Sequence, residues 1–144
     1  MDYTELAREL ITHHFAVMGQ EPQRMMDHMA RGQLCVLHHL AVQGASKPTE
    51  MAAAMDMSTA HVAKILGALE EKSLIRREMD PKDRRKIIVT LLPEGKALIQ
   101  NHMRKMLGRL ADLLAALGEE DARALVRISG RIEALCREKR RQSP

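Results

Sequence analysis

Aromatic side chains are almost absent from this sequence. Its 144 residues include one Tyr, one Phe and no Trp. Platforms that stack the bases of single-stranded nucleic acids are built from aromatic side chains, so this class of binding protein is excluded. The two cysteines, Cys35 and Cys136, lie far apart and form neither a CxxC pair nor a zinc knuckle. No apolar run approaches the roughly 18 residues that a membrane-spanning helix needs.

Targeting and catalytic motifs are missing as well. Asp2, Glu5 and Glu9 occupy the N-terminal segment, which lacks the basic-then-apolar layout of a secretory signal. We therefore expect a cytoplasmic protein with reduced thiols and no membrane partner. The sequence shows no nucleophile–base constellation, no Gly-rich phosphate loop and no acidic metal motif. On these grounds we expect neither an enzyme nor a bound cofactor.

Basic residues are in modest excess, but they are clustered. Lys and Arg number 23 against 19 Asp and Glu, which gives a net charge of +4 and a pI near 9.3. Much of the surplus falls in residues 76–86 and 137–141. Such clusters are the electrostatic footprint of a protein that binds a phosphate backbone. For the second cluster, a frayed and solvated tail is an equally good interpretation.

Helical periodicity dominates the chain. Apolar residues recur at three- and four-residue spacing in six segments, each of which is predicted to be a helix. Pro48 and Pro93 stand where a first helical residue is favoured, and Ser58 is a good N-cap. Gly32 and Gly44 delimit the second helix. The predicted helices cover residues 3–18, 33–43, 48–55, 58–72, 93–117 and 119–137.

A change of period separates the fourth helix from the fifth. Residues 74–78 and 86–92 are rich in Ile and Val and favour β-strands. Asp80-Pro81 marks a turn between them, so the segment is predicted to be a β-hairpin with a basic tip. The short third helix, a brief turn and the fourth helix match a helix-turn-helix. The predicted fold is therefore mainly α with a small β-hairpin (α+β), a winged helix-turn-helix.

Three segments of one continuous domain follow from this order of elements. Residues 32–92 suffice for the winged helix-turn-helix lobe. The helix and linker in residues 1–31, and the two helices in residues 93–144, carry apolar stripes that the lobe cannot cover. A second copy of the chain would bury these stripes, so both flanking segments are predicted to contain the dimerisation helices of a homodimer.

Residues 46–95 resemble the MarR family of bacterial transcription regulators. The most specific stretch is DPKDRRKIIVTLLPEG, which is similar to the family's wing followed by the start of its long dimerisation helix. EEKSLIRRE resembles the family's step from the recognition helix into the wing. The resemblance implies a homodimer that binds a pseudo-palindromic operator in double-stranded DNA sequence-specifically. It also implies repression that a small organic effector releases.

The resemblance further implies which residues contact DNA. The helix at residues 58–72 would lie in the major groove, and Arg85 would enter the flanking minor groove, where Asp83 would orient it. Ala60 and His61 stand where relatives often have small hydroxyl residues, which leaves fewer hydrogen-bonding groups for base edges. The candidate DNA-contacting residues are Ser58, Thr59, Ala60, His61, Lys64, Lys82, Asp83, Arg84 and Arg85.

Single residues of the fourth helix allow two interpretations each. Lys64 faces away from the apolar stripe, which favours a contact with DNA over a solvated lysine. His61 could contact a base edge or sense pH, or it could be a spacer on the exposed flank. For Thr59 we favour a phosphate contact, because most protein–DNA hydrogen bonds go to the backbone.

A metal- or oxidant-responsive regulator of the same fold is one alternative. Cys35, His38 and His102 are conceivable metal ligands, although no pair of ligands stands out at i, i+4 spacing. Cys35 lies among apolar residues, which favours a small buried side chain over a reactive thiol. A second alternative is a helical adaptor protein that has lost DNA binding, and salt-dependent binding to duplex DNA would distinguish it.

The methionines that could line an effector pocket, or fill the core, are Met18, Met25, Met26 and Met29.

Overall fold

Residues 1–19 and 28–142, which the computed structural model describes, form six helices and one two-stranded antiparallel sheet. The predicted fold class is confirmed, since the protein is mainly α with a small β-hairpin. In chain order the elements are α1 (Tyr3–Gly19), α2 (His28–Gln43), α3 (Pro48–Met55), α4 (Thr59–Glu71), β1 (Ile75–Met79), β2 (Ile87–Leu91), α5 (Pro93–Leu117) and α6 (Glu119–Gln142).

One hydrophobic core joins α2, α3, α4 and the base of the hairpin. The apolar stripe predicted for α4 is confirmed, since Val62, Ile65, Leu66 and Leu69 are each at most 1% exposed. Burial of a side chain of this size contributes roughly 1.5–3 kcal/mol, so the stripe anchors α4 in the lobe and turns its other side outward. The other members of the core are Val36, Leu37, Leu40, Met51, Ala52, Leu74, Ile75, Val89 and Ile99.

The second helix begins earlier than its glycine pattern predicted. α2 starts at His28 and passes through Gly32, which is buried. A Cβ atom at this position would lie 2.8 Å from Cδ1 of Ile65. A side chain at Gly32 would require the end of the Ile65 side chain to shift, so this glycine lies against α4 within the helix and does not end it.

The base of the hairpin reaches the core, and its tip does not. Val89 is completely buried, whereas Met79 and Ile87, which pair with each other near the tip, are 65% and 43% exposed. Ser46 adds a one-residue bridge on the outer edge of β2. Its N–H donates to the Val89 carbonyl (3.1 Å), and the Val89 N–H donates to the Ser46 carbonyl (2.8 Å). The core therefore fixes where the hairpin leaves the lobe.

A tight turn carries the chain from α4 into β1. The Ser73 N–H donates to the Glu70 carbonyl (2.9 Å) and the Leu74 N–H donates to the Leu69 carbonyl (3.0 Å). These two bonds form a Schellman motif, and Ser73 has the left-handed φ of 57° that the motif requires. The Leu74 carbonyl accepts a hydrogen bond from the Leu92 N–H (3.0 Å). The end of α4 is thereby connected to both ends of the hairpin.

The chain divides into two compact units, Met1–Ile99 and Gln100–Pro144. Most of α5 and all of α6 belong to the second unit, where Gly118 joins them with a φ of 85°. No residue of α6 is buried. This helix continues past its predicted end at residue 137 to Gln142, and its last turn is basic, which its dipole favours. The second basic cluster is therefore helical.

The prediction that Cys35 is buried is wrong. The core-facing side of α2 is formed by Val36, Leu37 and Leu40, and Cys35 lies on the other side of the helix, where it is exposed. Apolar neighbours in sequence do not bury a helical residue, because adjacent positions point about 100° apart.

The proposed methionine cluster cannot be placed within the structure. Met25 and Met26 lie outside the described residues, as do the side chains of Met18 and Met29.

Candidate nucleic-acid interface

The exposed surface of α4 begins at its N-cap. Ser58 Oγ accepts a hydrogen bond from the His61 backbone N–H (3.1 Å), which satisfies one of the free N–H groups of the first turn. The predicted N-cap is thereby confirmed. Thr59, Ala60, His61 and Lys64 are all exposed. The structure thus brings the five candidate residues of this helix together outside its buried stripe.

Few hydrogen-bonding groups are available on this surface. Thr59 offers a hydroxyl, His61 an imidazole and Lys64 an ammonium, whereas Ala60 and Ala63 are exposed and offer methyl groups. Hydroxyl and ammonium groups suit phosphates and base edges, and small apolar side chains suit the methyl group of thymine. The exposed side of α4 can therefore approach a groove closely, with three polar side chains to make directed contacts.

Hydrogen bonds to the backbone hold the tip of the hairpin. The Asp80 N–H donates to the Lys86 carbonyl (2.8 Å), and the Lys86 N–H donates to the Asp83 carbonyl (2.9 Å). Two carboxylates also accept from the loop: Asp80 Oδ1 from the Lys82 N–H (2.9 Å) and Asp83 Oδ1 from the Arg85 N–H (3.1 Å). Asp side chains that bind the backbone two residues on stabilise turns. The loop conformation therefore does not depend on its basic side chains.

Four cationic side chains project from this tip. Lys82, Arg84, Arg85 and Lys86 are exposed, and Asp83 is half-buried. The Asp83 carboxylate contacts Arg85 through the backbone N–H, so it holds the main chain from which the guanidinium extends. Lys86 was not among the predicted site residues. Its position in the basic cluster of residues 76–86 is the feature of the sequence that could have indicated it. The tip is a compact cationic surface of the kind that attracts phosphates.

An ion pair links the end of α4 to β1. Glu70 Oε1 lies 3.0 Å from Arg77 Nη2, and Glu70 Oε2 accepts from both Arg77 Nε and the Arg77 backbone N–H at 3.2 Å. The side-chain hydrogen bond with Arg77 lowers the pKa of Glu70 from 4.5 and raises that of Arg77. Glu70 therefore stays ionised at neutral pH. The sequence pattern did not predict this pair, because the turn at Ser73 decides whether residues on the two elements meet.

A shallow cavity of about 290 Å³ lies between α2 and α3, with Cys35, His38 and Met55 in its lining. Beside it, His39 Nε2 lies 3.3 Å from Ser46 Oγ. Among the described residues, no group of three or more His, Cys, Asp or Glu side chains could hold a metal ion. In the same residues, none of the helices combines the length and the apolar character that crossing a membrane requires.

The lobe has the parts of a winged helix-turn-helix DNA-binding protein. A short helix and a tight turn precede a helix with an exposed flank, and a hairpin with a cationic tip follows.

Comparison with known sequences finds a match to one family. A profile of the MarR family matches residues 29–87. The HTH-type transcriptional repressor MdtR of Bacillus subtilis is 31% identical over 100 residues, which cover 69% of this chain and 64% of MdtR. The chain spans 65%, 53% and 64% of the length of three curated relatives, all regulators of Bacillus subtilis.

Solved structures of similar proteins have the same fold. BpsR of Bordetella bronchiseptica is 26% identical with a TM-score of 0.67, and the match covers 92% of this chain and 93% of BpsR. The MarR family regulator SP03579 has a TM-score of 0.76 over 98% of this chain and 97% of its own, at 16% identity, which shows the fold. Part of the chain therefore matches the MarR family, and its fold is that of MarR family structures. The curated relatives are HTH-type transcriptional regulators.

Proposed function

We propose that the chain is a sequence-specific repressor that binds double-stranded DNA in the cytoplasm, as a homodimer on a pseudo-palindromic operator. The observation that carries this proposal is the lobe itself, which presents both the exposed flank of α4 and the cationic tip of the hairpin. The major groove admits an α-helix, and a narrow minor groove attracts guanidinium groups. Repression is supported by the relative MdtR, which is a transcriptional repressor. No enzymatic activity and no cofactor form part of the proposal.

Five of the nine candidate residues contact DNA directly in this proposal. With α4 in the major groove, Thr59 contacts a phosphate and Lys64 contacts a phosphate or a base edge. Arg85 enters the flanking minor groove, while Lys82 and Arg84 neutralise phosphates beside it. A two-fold axis would repeat these contacts on a second half-site, and for this reason we propose a pseudo-palindromic operator.

The homodimer is proposed from apolar faces that the described part of a single chain leaves exposed. Such faces on α1, α5 and α6 support the predicted division of the chain into dimerisation segments, residues 1–31 and 93–144, around the lobe at 32–92. Exposed apolar surface of this extent marks an interaction site, and a second copy supplies matching surface. The side chains concerned are Leu6, Leu10, Ile11 and Val17 on α1, Met106, Leu107, Leu110, Leu113 and Leu117 on α5, and Leu125, Ile128, Ile132 and Leu135 on α6.

Substituting Ile132→Arg is expected to weaken the homodimer, because Ile132 is 56% exposed in the apolar row of α6 and a charge there would be buried by a partner. Gly130→Arg is the matched control. It adds the same side chain on the opposite side of the helix, where a Cβ atom meets nothing within 4 Å. Sedimentation should show a parent species of twice the 16.2 kDa chain mass, shifted toward monomer by the first substitution alone. A folded parent monomer at micromolar concentration would contradict the dimer.

We also propose that a small organic effector weakens operator binding. The support is the relative BpsR, whose DNA binding is regulated by 6-hydroxynicotinic acid. A ligand has this effect when it binds the DNA-free and DNA-bound conformations with different affinity, and couplings of about 1–3 kcal/mol are usual. A screen of aromatic acids against operator binding would identify it. A response to zinc or to an oxidant, with none to any organic ligand, would favour the alternative sensors instead.

Salt-dependent binding to duplex DNA tests the DNA-binding function. Fluorescence anisotropy across a salt series should show log affinity falling linearly with log salt, with a slope of about −0.9 for each phosphate neutralised. Selection from a random-sequence duplex library should enrich a pseudo-palindromic site, which serves below as the operator. A helical adaptor would show neither result, and their absence would end the proposal.

A further inference from the structure

The ion pair between Glu70 and Arg77 lies where the hairpin leaves the lobe. The register pairs Arg77 with Val89, which is completely buried, and the next pair toward the tip on the same face, Met79 with Ile87, is exposed. The hydrophobic core thus holds the hairpin up to Arg77 and gives it no support beyond. The Glu70–Arg77 pair therefore joins α4 to the hairpin at the last position on this face that the core supports.

The backbone of Arg77 faces Glu70 for a reason set by the sheet. Val89 exchanges both of its backbone hydrogen bonds with Ser46, on the edge of β2 that points away from β1. Opposed residues of an antiparallel pair share one bonding type, so Arg77 and Val89 form a non-hydrogen-bonded pair. The Arg77 N–H therefore points to the free edge of β1, where Glu70 Oε2 accepts it (3.2 Å). An edge N–H that would otherwise face solvent is bound by the helix.

One carboxylate therefore binds both the side chain and the main chain of Arg77. The contact to Nη2 (3.0 Å) joins α4 to the end of the Arg77 side chain, and the contacts to Nε and the backbone N–H (3.2 Å each) join it to the base of that side chain and to the strand itself. The side chains of Arg77 and Glu70 are 33% and 42% exposed. Ion pairs as exposed as this add little to stability, so the geometry that the pair imposes is the more important consequence.

We propose that Glu70 and Arg77 are positioning residues that set the angle between α4 and the wing, so that one lobe contacts the major groove and the flanking minor groove of the same half-site. This inference rests on the proposed function. One lobe binds both grooves more tightly when the angle between α4 and the hairpin is already fixed in the free protein. A preorganised site avoids the entropic cost of ordering the hairpin on binding. Without the pair, the hairpin keeps its core-bound base and loses its direction relative to α4.

Glu70→Gln is the test variant and Glu78→Gln is its control. Each removes one negative charge from a pair near the wing, but Glu78 pairs with Arg76 within the same strand (2.7 Å) and so joins no two elements. Glu78→Gln should raise affinity for operator and for the unselected duplex library alike. Glu70→Gln should lower operator affinity about tenfold, within the range of measured coupling energies, without lowering affinity for the library. Thermal unfolding of the two variants should agree within a few degrees.

Two further measurements separate positioning from a merely structural role. Arg77→Gln and the double variant Glu70→Gln/Arg77→Gln should reduce the ratio of operator affinity to library affinity by the same factor as the single Glu70→Gln variant, because the pair acts as a unit and the changes in net charge affect both DNAs alike. Arg85→Ala should cost much less operator affinity in the Glu70→Gln background than in the parent, since the wing is no longer directed at the groove. An equal cost in both backgrounds, or a Glu70→Gln variant that behaves like Glu78→Gln, would overturn the inference alone. A parent protein that enriches no duplex would overturn the proposed function and the inference with it.

Discussion

Replacing Arg85 by alanine is expected to lower operator affinity by about tenfold or more, because each lobe loses the cation proposed to enter the minor groove. The salt dependence should fall by roughly one unit per half-site, since one phosphate-neutralising charge is removed from each lobe. The fold should survive. The loop is held through the Arg85 backbone N–H, which donates to Asp83 Oδ1 (3.1 Å), and alanine retains that donor.

Lys82→Ala is the matched control for this substitution. Lys82 is also an exposed cation of the tip, and its backbone N–H likewise donates to a carboxylate, Asp80 Oδ1 (2.9 Å). As a phosphate contact it should cost less and act evenly across DNA sequences. Both variants should be titrated over a salt series on the operator and on the unselected library. Parent-like operator binding by Arg85→Ala, with the dimer intact, would show that the wing assignment is wrong.

The substitution Gly95→Ala is expected to reduce the free energy of unfolding by roughly 3 kcal/mol, at the upper end of the cost of overpacking. Gly95 is buried in the first turn of α5, and a Cβ atom there would collide with the Leu74 carbonyl oxygen and lie 2.8 Å from Leu91 Cδ1. The carbonyl cannot retreat without cost, because it accepts the Leu92 N–H (3.0 Å) and the Leu74 N–H is bound to Leu69. Denaturant unfolding at a fixed protein concentration measures the loss.

Gly67→Ala is the control, and it should change the free energy of unfolding in the opposite direction. Gly67 lies inside α4, and a Cβ atom there would meet nothing within 4 Å. Alanine is preferred to glycine in a helix by about 0.5–1 kcal/mol, so this variant should be slightly more stable than the parent. An equal change in the free energy of unfolding for both substitutions would contradict this explanation, because it would show that close packing is not the reason for glycine at position 95.

Local patterns predicted the elements that depend on a few neighbouring residues. The apolar stripe of α4, the N-cap at Ser58 and the opening of helices at Pro48 and Pro93 are all confirmed. Each rests on a periodicity or a single hydrogen bond that acts within one or two turns of the chain, so tertiary packing had little opportunity to override it. The hairpin between two Ile- and Val-rich runs belongs to the same group.

Glycine and cysteine show where local patterns fail. Gly32 was interpreted as a boundary, but it lies inside α2 against Ile65. Cys35 was interpreted as buried, but it lies on the exposed side of the same helix. The sequence alone does not distinguish a glycine that ends a helix from one that lies against a neighbouring helix. At Gly32 the position of α4 decides between the two.

The sequence by itself determined the order of the elements, the residues on the exposed flank of α4 and the basic composition of the wing tip. Only the tertiary structure decided how these parts are connected. The Glu70–Arg77 pair, the Ser46 bridge and the collision that excludes a side chain at Gly95 all join residues from different elements. Their existence depends on angles and distances between elements, which arise when the core packs and which no local periodicity encodes.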